Sequence, residues 1–274
     1  MSYLTDKEIH NRVKEHYEEL KKIIPEDKIV GVFLQGSQNY GLGYEGSDVD
    51  TKAIVLPSFE DFVLNKKPVS TTHVLDNDEH IDIKDIRVMF ENIKKQNINF
   101  VEILFTRYYV VNPMYENLFA PMWKYNEDIA RYNIYAALNC MAGMVMEKYK
   151  AMCHKYPSTA WKIEKWGYDG KQLHHMFRVK DFMENYIAGY LYDDCLQAKN
   201  PELQILIKTN QCYNLEIAKF QADLILDYTK ELKDDYMKHY KNRIDTSVED
   251  IMNEVLFDLL AESFKKDIEI HKTS

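Results

Sequence analysis

Two apolar runs of strand length constrain the fold of this chain more than any other feature. The first, KIVGVFLQG at 28–36, is rich in β-branched residues and ends at Gly36, and the second, VDTKAIVLP at 49–57, ends at Pro57. The segment between them, SQNYGLGYEGSD, is too polar and too rich in glycine for a strand or a helix. We therefore expect two strands separated by a loop.

The residues around these runs indicate a mixed α/β region. A helix is expected over the first 24 residues, with Thr5 as its cap, because apolar residues recur there at helical spacing. Further strands are expected in VSTTHVLDN, EHIDIKDI and RYYVV, and a helix at 85–96. In the second of these strands Ile81 and Ile83 alternate with polar residues, which is typical of a strand with one buried face.

From Pro113 onward the pattern changes to helical spacing, and no strand stands out. Gly and Pro are scarce, 9 and 7 of 274 residues, which favours long helices. We expect helices near 113–124, 127–154, 170–196, 201–209, 213–239 and 247–268, with a loop at 155–169. The predicted fold class is α+β, with a small mixed β-sheet core and flanking helices at 1–112 and an all-helical bundle at 113–274.

Composition excludes several classes of function. A net charge of −9 argues against nucleic-acid binding driven by bulk charge, although a local basic patch is compatible with it. The four cysteines form no CxxC pair, so a zinc ribbon is not expected. The N-terminal segment is charged from the start and no apolar run approaches the length of a membrane span. We therefore expect a cytoplasmic protein that has no membrane partner.

The chemistry-bearing residues lie at the junctions of the first two strands. Gly36 lets a phosphate approach the backbone closely, and the N–H groups and the Ser37 hydroxyl can donate to phosphate oxygens. Asp48 and Asp50 point to one face if 48–56 is a strand, and two adjacent carboxylates favour a Mg²⁺ ion between them. Asp82, on the polar face of a later strand, becomes a third carboxylate if the two strands are neighbours. The alternative is a polar loop followed by a surface strand with solvated acids.

This order of residues resembles the signature of the DNA polymerase β-like nucleotidyltransferase superfamily, which is Gly-Ser, a spacer, Asp-x-Asp and a third acid on a later strand. The matching stretch is GSQNYGLGYEGSDVD at 36–50. Its longer form, GS-x-x-x-G followed by SD-x-D, is similar to the RlaP/YcgL-like branch, which is associated by name with RNA repair. IDIKDIRVMFENIKKQNINFVEILFT at 81–106 and YDGKQLHHMFR at 168–178 are also similar to that branch. The resemblance covers about residues 27–180.

The resemblance implies a polymerase β-like core with a catalytic metal site. Asp48, Asp50 and Asp82 would be both the catalytic residues and the ligands of two Mg²⁺ ions. Three acids close to Asp82 in sequence compete for its role, because a strand register slip of one residue would turn Asp82 away. These are Asp78, Glu79 and Asp85.

The resemblance also implies residues that bind the nucleoside triphosphate substrate. These are Gly36, Ser37 and Ser47 in the loop, and Lys171, His175 and Arg178 in the later stretch. The last three stand at i, i+4 and i+7, so they share one face of a helix, and cations on one face suit a phosphate-bearing ligand. A solvated or salt-bridged helix face is the alternative for them.

The expected function is a Mg²⁺-dependent nucleotidyltransferase that moves NMP from an NTP to an acceptor hydroxyl and releases pyrophosphate. We favour an RNA end as acceptor, because of the branch name and because Trp161 and Trp166 are interleaved with lysines. A protein side chain, as in antitoxin-like or regulatory members, fits the acidic charge better, and a small molecule is a third choice. A catalytically silent nucleotide-binding protein is the alternative from another class.

Overall fold

The computed structural model describes residues 4–273, with side chains through residue 269. The chain forms two compact units. The sheet unit consists of residues up to Asn39, Glu45–Tyr132, and residues from Ile244 onward; the helical unit consists of Tyr40–Tyr44 and Asn133–Arg243. Every helix among the described residues is either too short or too polar to span a membrane.

The sheet unit contains five strands among the described residues, in the order β3-β4-β2-β1-β5. Their bounds are β1 Ile29–Gln35, β2 Asp50–Val55, β3 Ser70–Val74, β4 His80–Asp85 and β5 Tyr109–Val111. β2 and β4 are parallel, and the other neighbouring pairs are antiparallel. The expected strands are therefore present, and the α+β class is confirmed.

Seven helices of the described chain belong to the sheet unit. They are α1 Asp6–Lys21, α2 Phe59–Val63, α3 Ile86–Lys94, α4 Ile98–Val101, α5 Glu116–Lys124, α6 Asn126–Arg131 and α13 Thr246–Thr273. The predicted cap of α1 is confirmed: the Thr5 hydroxyl accepts from the N–H of Glu8, and the Thr5 N–H donates to the Glu8 carboxylate.

One face of the sheet packs on α1. Residues of α1 at helical spacing, including Val13 and Leu20, are buried against alternate strand residues such as Val32, Ala53 and Ile83. The opposite face carries aromatic packing, with the Phe33 ring 5.6 Å from the Phe119 ring of α5. Both faces of the sheet are thus covered, which explains why β1 is apolar on both sides.

α13 returns to the sheet unit from far downstream. Its Phe264 ring lies 5.5 Å from Phe59 and 5.2 Å from Phe62 of α2. Asp267 accepts from the Lys28 ammonium at 2.7 Å, an ion pair with little exposure on either side. α13 also packs on α3 and α5.

The division into units differs from the predicted boundary at 112/113. Residues 113–132 and α13 group with the sheet, although they are helical as expected. Helical periodicity reports local structure and does not reveal which core a helix joins, which is the reason for the difference.

The helical unit contains six helices within the described chain. They are α7 Ile134–Met152, α8 Ala160–Trp166, α9 Gly170–Ile187, α10 Tyr192–Leu196, α11 Pro201–Lys208 and α12 Leu215–His239. α8 lies within the stretch expected to be a loop. On α12 the periodic residues Ile217, Phe220, Leu224 and Tyr228 are exposed, whereas the side buried in the unit carries mostly small residues, including Ala218 and Ala222.

Candidate active site

The Gly-Ser turn and the Asp-Val-Asp segment lie at the same end of the sheet. β1 ends at Gln35, β2 begins at Asp50, and these two residues are paired across the antiparallel ladder. Gly36 and Ser37 therefore leave the sheet beside the point where Asp48 approaches it. The structure thus brings together two motifs that are separated by a loop in sequence.

The turn after β1 needs a glycine for its backbone. Gly36 has a φ of +84°, and among the described residues no atom beyond its two chain neighbours lies within 4 Å of the position that a Cβ would occupy. Asn39 holds the turn, because its side chain donates to the Leu34 carbonyl at 2.9 Å and accepts from the Thr106 hydroxyl at 2.8 Å. Ser37, half-buried, begins a short 3₁₀ helix, Ser37–Tyr40. The turn is therefore held by side-chain hydrogen bonds, and space is open beside the Cα of Gly36.

The two aspartates flank a core residue. Val49 is fully buried, whereas Asp48 is exposed and Asp50 is half-exposed. A carboxylate oxygen of Asp50 lies 3.2 Å from the Nδ1 atom of His80 at the start of β4. Ser47, which precedes them, is half-buried. Burial of Val49 thus leaves the carboxylates on either side of it accessible to a cation.

Asp82 lies on the expected strand face but is held by two lysines. The parallel register places it beside Lys52, two residues beyond Asp50, a rise of about 7 Å along the strand. Its carboxylate oxygens accept from Lys52 at 2.8 Å and Lys84 at 2.7 Å. Burial raises the pKa of the Asp82 carboxyl, but the two ammonium groups outweigh burial and hold this pKa below its usual range.

The donor set fits one divalent cation better than two. Asp48 and Asp50 supply two hard carboxylates, which suits a Mg²⁺ ion whose remaining ligands are phosphate and water oxygens. The Asp82 carboxylate can bind the same ion only if it releases its ion pairs with Lys52 and Lys84. In the part of the chain that the structure describes, no group of three or more His, Cys, Asp or Glu side chains is placed to hold an ion.

The other candidate acids occupy different positions. Asp85 is buried, caps α3, and forms a two-point ion pair with Arg87. Asp78 lies in a turn at a φ of 64°. Glu79 is buried and accepts from the backbone N–H of Val49 at 2.9 Å, so it contacts the Asp-Val-Asp segment through the backbone.

The remaining predicted ligands belong to the helical unit and share α9. Lys171 is exposed, His175 is half-buried and Arg178 is buried. The Arg178 guanidinium lies 4.2 Å from the ring centroid of Tyr40, and among the described residues its Nε has no hydrogen-bond partner. The Tyr40 carbonyl accepts from the Ala198 N–H at 3.2 Å, so the loop segment Tyr40–Tyr44 is fixed to this unit.

The two histidines of α9 are neutral and add no charge to this cationic group. Burial, with the positive charges of Arg178, Lys208 and Lys171, lowers the pKa of His174 to about 3. Burial and the Arg178 charge also hold the pKa of His175 well below its usual range. A buried arginine among lysines, with its Nε unsatisfied, is a favourable place for an anion.

The tryptophan and lysine patch forms α8. The rings of Trp161 and Trp166 lie 5.5 Å apart, and the Lys165 ammonium lies 4.4 Å from the centroid of Trp166. Lys162 forms an ion pair with the buried Asp169 at 3.0 Å. The exposed ring of Trp161 remains able to stack on a base.

Two residues near the site were missed by the sequence reasoning. They are His16 and Lys52, and both are buried. His16 carried a usable signal, because it lies on the apolar stripe of α1 between Val13 and Leu20, where a histidine needs a buried partner.

No protein-family model matches the chain, and no curated protein matches it. The resemblance to nucleotidyltransferases therefore depends on the motif residues alone.

Proposed function

We propose that the chain is a Mg²⁺-dependent nucleotidyltransferase of the polymerase β-like type, which moves NMP from an NTP to an acceptor hydroxyl and releases pyrophosphate. The observation that carries the proposal is the pairing of Gln35 with Asp50, which places the Gly36-Ser37 turn next to the Asp48-Val49-Asp50 segment. The turn proposed to bind phosphate and the two aspartates are thus adjacent at one end of the sheet.

In the proposed reaction the residues of the sheet unit would have separate roles. The N–H groups of the turn and the Ser37 hydroxyl donate to phosphate oxygens. Asp48 and Asp50 hold the Mg²⁺, which when bound neutralises triphosphate charge and stabilises the departing pyrophosphate. Asp82 is poorly suited to accept the proton of the acceptor hydroxyl, because its lysine partners make the ionised carboxylate a weaker base. The protein would act mainly by positioning and charge.

The test compares two pairs of substitutions that change the charge equally. Asp48→Asn/Asp50→Asn removes the proposed ligands, and Asp76→Asn/Asp78→Asn removes two acids of the turn before β4. Each protein is incubated with α-labelled NTPs and Mg²⁺, alone, with RNA and with cell lysate. We expect label transfer by the wild type and by the control, none by Asp48→Asn/Asp50→Asn, and similar thermal unfolding for all. Undiminished label transfer by Asp48→Asn/Asp50→Asn would rule out the proposal.

The same assay identifies the acceptor. An RNA end is the first acceptor to test, because the exposed Trp161 ring on a lysine-bearing helix suits single-stranded RNA. A labelled protein band would instead indicate a protein side chain, and label in the small-molecule fraction would indicate a small acceptor.

The second candidate function is nucleotide binding without turnover. The ion pairs of Asp82 with Lys52 and Lys84 favour it, because they occupy the third carboxylate. Binding of NTP that requires Asp48 and Asp50, without pyrophosphate release in the presence of any acceptor, would support this function.

For the helical unit we propose that Lys171, His175 and Arg178 bind phosphate groups of a substrate. Tripolyphosphate should raise the unfolding temperature of the wild type. Arg178→Met should abolish this shift, and Lys180→Met should preserve it, because Lys180 already pairs with Asp181 on the same helix. An equal shift in Arg178→Met and the wild type would exclude this role.

A further inference from the structure

Glu79 is a buried carboxylate with four donors around it. It lies just before β4 and is only 4 % exposed. One oxygen accepts from the Val49 N–H at 2.9 Å. The other lies 2.7 Å from the Arg12 guanidinium, 3.0 Å from the Nε2 of His16 and 3.1 Å from the Asn77 amide nitrogen. A carboxylate with this many charge-assisted bonds is held in one position.

The Val49 N–H belongs to the residue between Asp48 and Asp50. The side chain of Val49 is buried in the hydrophobic core, and the N–H of Val49 donates to Glu79. Val49 is therefore held at two points, which determines where the backbone directs the carboxylates on either side.

His16 connects Glu79 to Thr51, the residue that follows Asp50. It is 1 % exposed, and its Nδ1 lies 2.8 Å from the Thr51 hydroxyl. Because an ionised Glu79 can only accept, Nε2 donates to it, and in the neutral ring Nδ1 accepts from Thr51. α1 thus holds the segment on both sides of Asp50, at Val49 through Glu79 and at Thr51 through His16.

We propose that Glu79 and His16 are positioning residues, which set the separation of the Asp48 and Asp50 carboxylates and so the affinity of the site for a divalent cation. This inference rests on the proposed function, since it assumes that the two aspartates bind the cation. It goes beyond the motif, because neither residue is one of the proposed ligands and both act through the backbone or a neighbouring hydroxyl. Buried groups that orient metal ligands contribute strongly to metal affinity.

The experiment measures binding of Mn²⁺ alone by electron paramagnetic resonance, without a nucleotide. Glu79→Ala should weaken Mn²⁺ binding by about 10-fold or more. Thr51→Val removes one hydroxyl, nearly preserves the shape of the side chain, and should weaken binding by a smaller factor. Asp85→Ala is the control, because it removes a buried, ion-paired carboxylate from the other end of β4 and should leave Mn²⁺ affinity unchanged.

A second readout follows the backbone directly. Exchange of the Val49 amide hydrogen should accelerate in Glu79→Ala and remain slow in Asp85→Ala, because only the former loses the acceptor of this N–H. Conversely, Glu79→Gln keeps an acceptor oxygen for this N–H and should restore part of the Mn²⁺ affinity.

The outcomes separate this inference from the function on which it rests. If Asp48→Asn/Asp50→Asn binds Mn²⁺ as the wild type does, the proposed metal site fails and the inference fails with it. If that variant loses Mn²⁺ binding while Glu79→Ala and Thr51→Val bind normally, the positioning role alone is overturned. Equal weakening in Glu79→Ala and Asp85→Ala would also overturn it, since both would then act through general stability.

Discussion

The Glu79 carboxylate links the stability of the sheet unit to pH. Burial raises its pKa, but the bonds from His16, the Val49 N–H and Arg12 outweigh burial and lower the pKa from 4.5 to about 2. This drop corresponds to about 3 kcal/mol of stabilisation at neutral pH. Replacing Glu79 by Gln removes the ionisable group with little change of shape.

The sign of the pH dependence follows from the lowered pKa. The stabilisation is complete above the pKa of the unfolded chain and is lost as pH falls through the folded-state pKa. Relative to neutral pH, the wild type should lose about 0.8 kcal/mol from this group by about pH 4 and about 2 kcal/mol by about pH 3. Glu79→Gln lacks this contribution at every pH.

Urea unfolding measures the difference between the two proteins. In a Trp161→Phe/Trp166→Phe background the remaining tryptophan, Trp123, reports on the sheet unit. Glu79→Gln should be less stable by up to about 3 kcal/mol near pH 7, and this gap should narrow by about 2 kcal/mol near pH 3. Other carboxylates titrate equally in both proteins and cancel. A gap that stays constant with pH would refute the reasoning.

Further substitutions test the packing around the two units. Asp82→Asn should lower the free energy of unfolding of the sheet unit by about 3 kcal/mol, because the buried Lys52 ammonium loses a partner. Adding Lys52→Met should restore most of this stability. Unchanged urea midpoints would contradict the prediction. Gly170→Ala should destabilise the helical unit by about 1–3 kcal/mol, since a Cβ would lie 2.2 Å from the Ile207 carbonyl oxygen, and a normal tryptophan-monitored unfolding curve would argue against it. Gly36→Ala should cost only about 1 kcal/mol of thermal stability, because its φ of +84° is unfavourable for alanine but the space is open.

Local patterns in the sequence predicted what depends on local structure. The alternation of Ile81 and Ile83 with polar residues correctly placed Asp82 on the polar face of β4. Gly36 marked the end of β1 because its backbone adopts a positive φ. The adjacency of Gly36 and Asp50 was predicted only through the motif and now follows from the strand register.

Contacts between distant parts of the chain could not be predicted in the same way. Glu79 was considered only as a competing metal ligand, because its partner His16 lies on α1 and its contact with Val49 is to a backbone N–H. Lys52 was not considered, because a lysine in a strand is expected to be solvated unless a buried acid lies beside it. The metal-binding role of the aspartates remains a prediction.

The chain leaves the sheet unit to form the helical unit and then returns to it, which affects how the sheet unit forms during synthesis. The Asp245 N–H donates to the Tyr132 carbonyl at 3.2 Å, so the sheet unit is left and re-entered at neighbouring points. During translation the aromatic residues of α2 cannot pack against Phe264 of α13 until all of Asn133–Arg243 has been synthesised. The nascent sheet unit therefore exposes apolar surface during synthesis, which favours aggregation, and it is completed only when α13 leaves the ribosome.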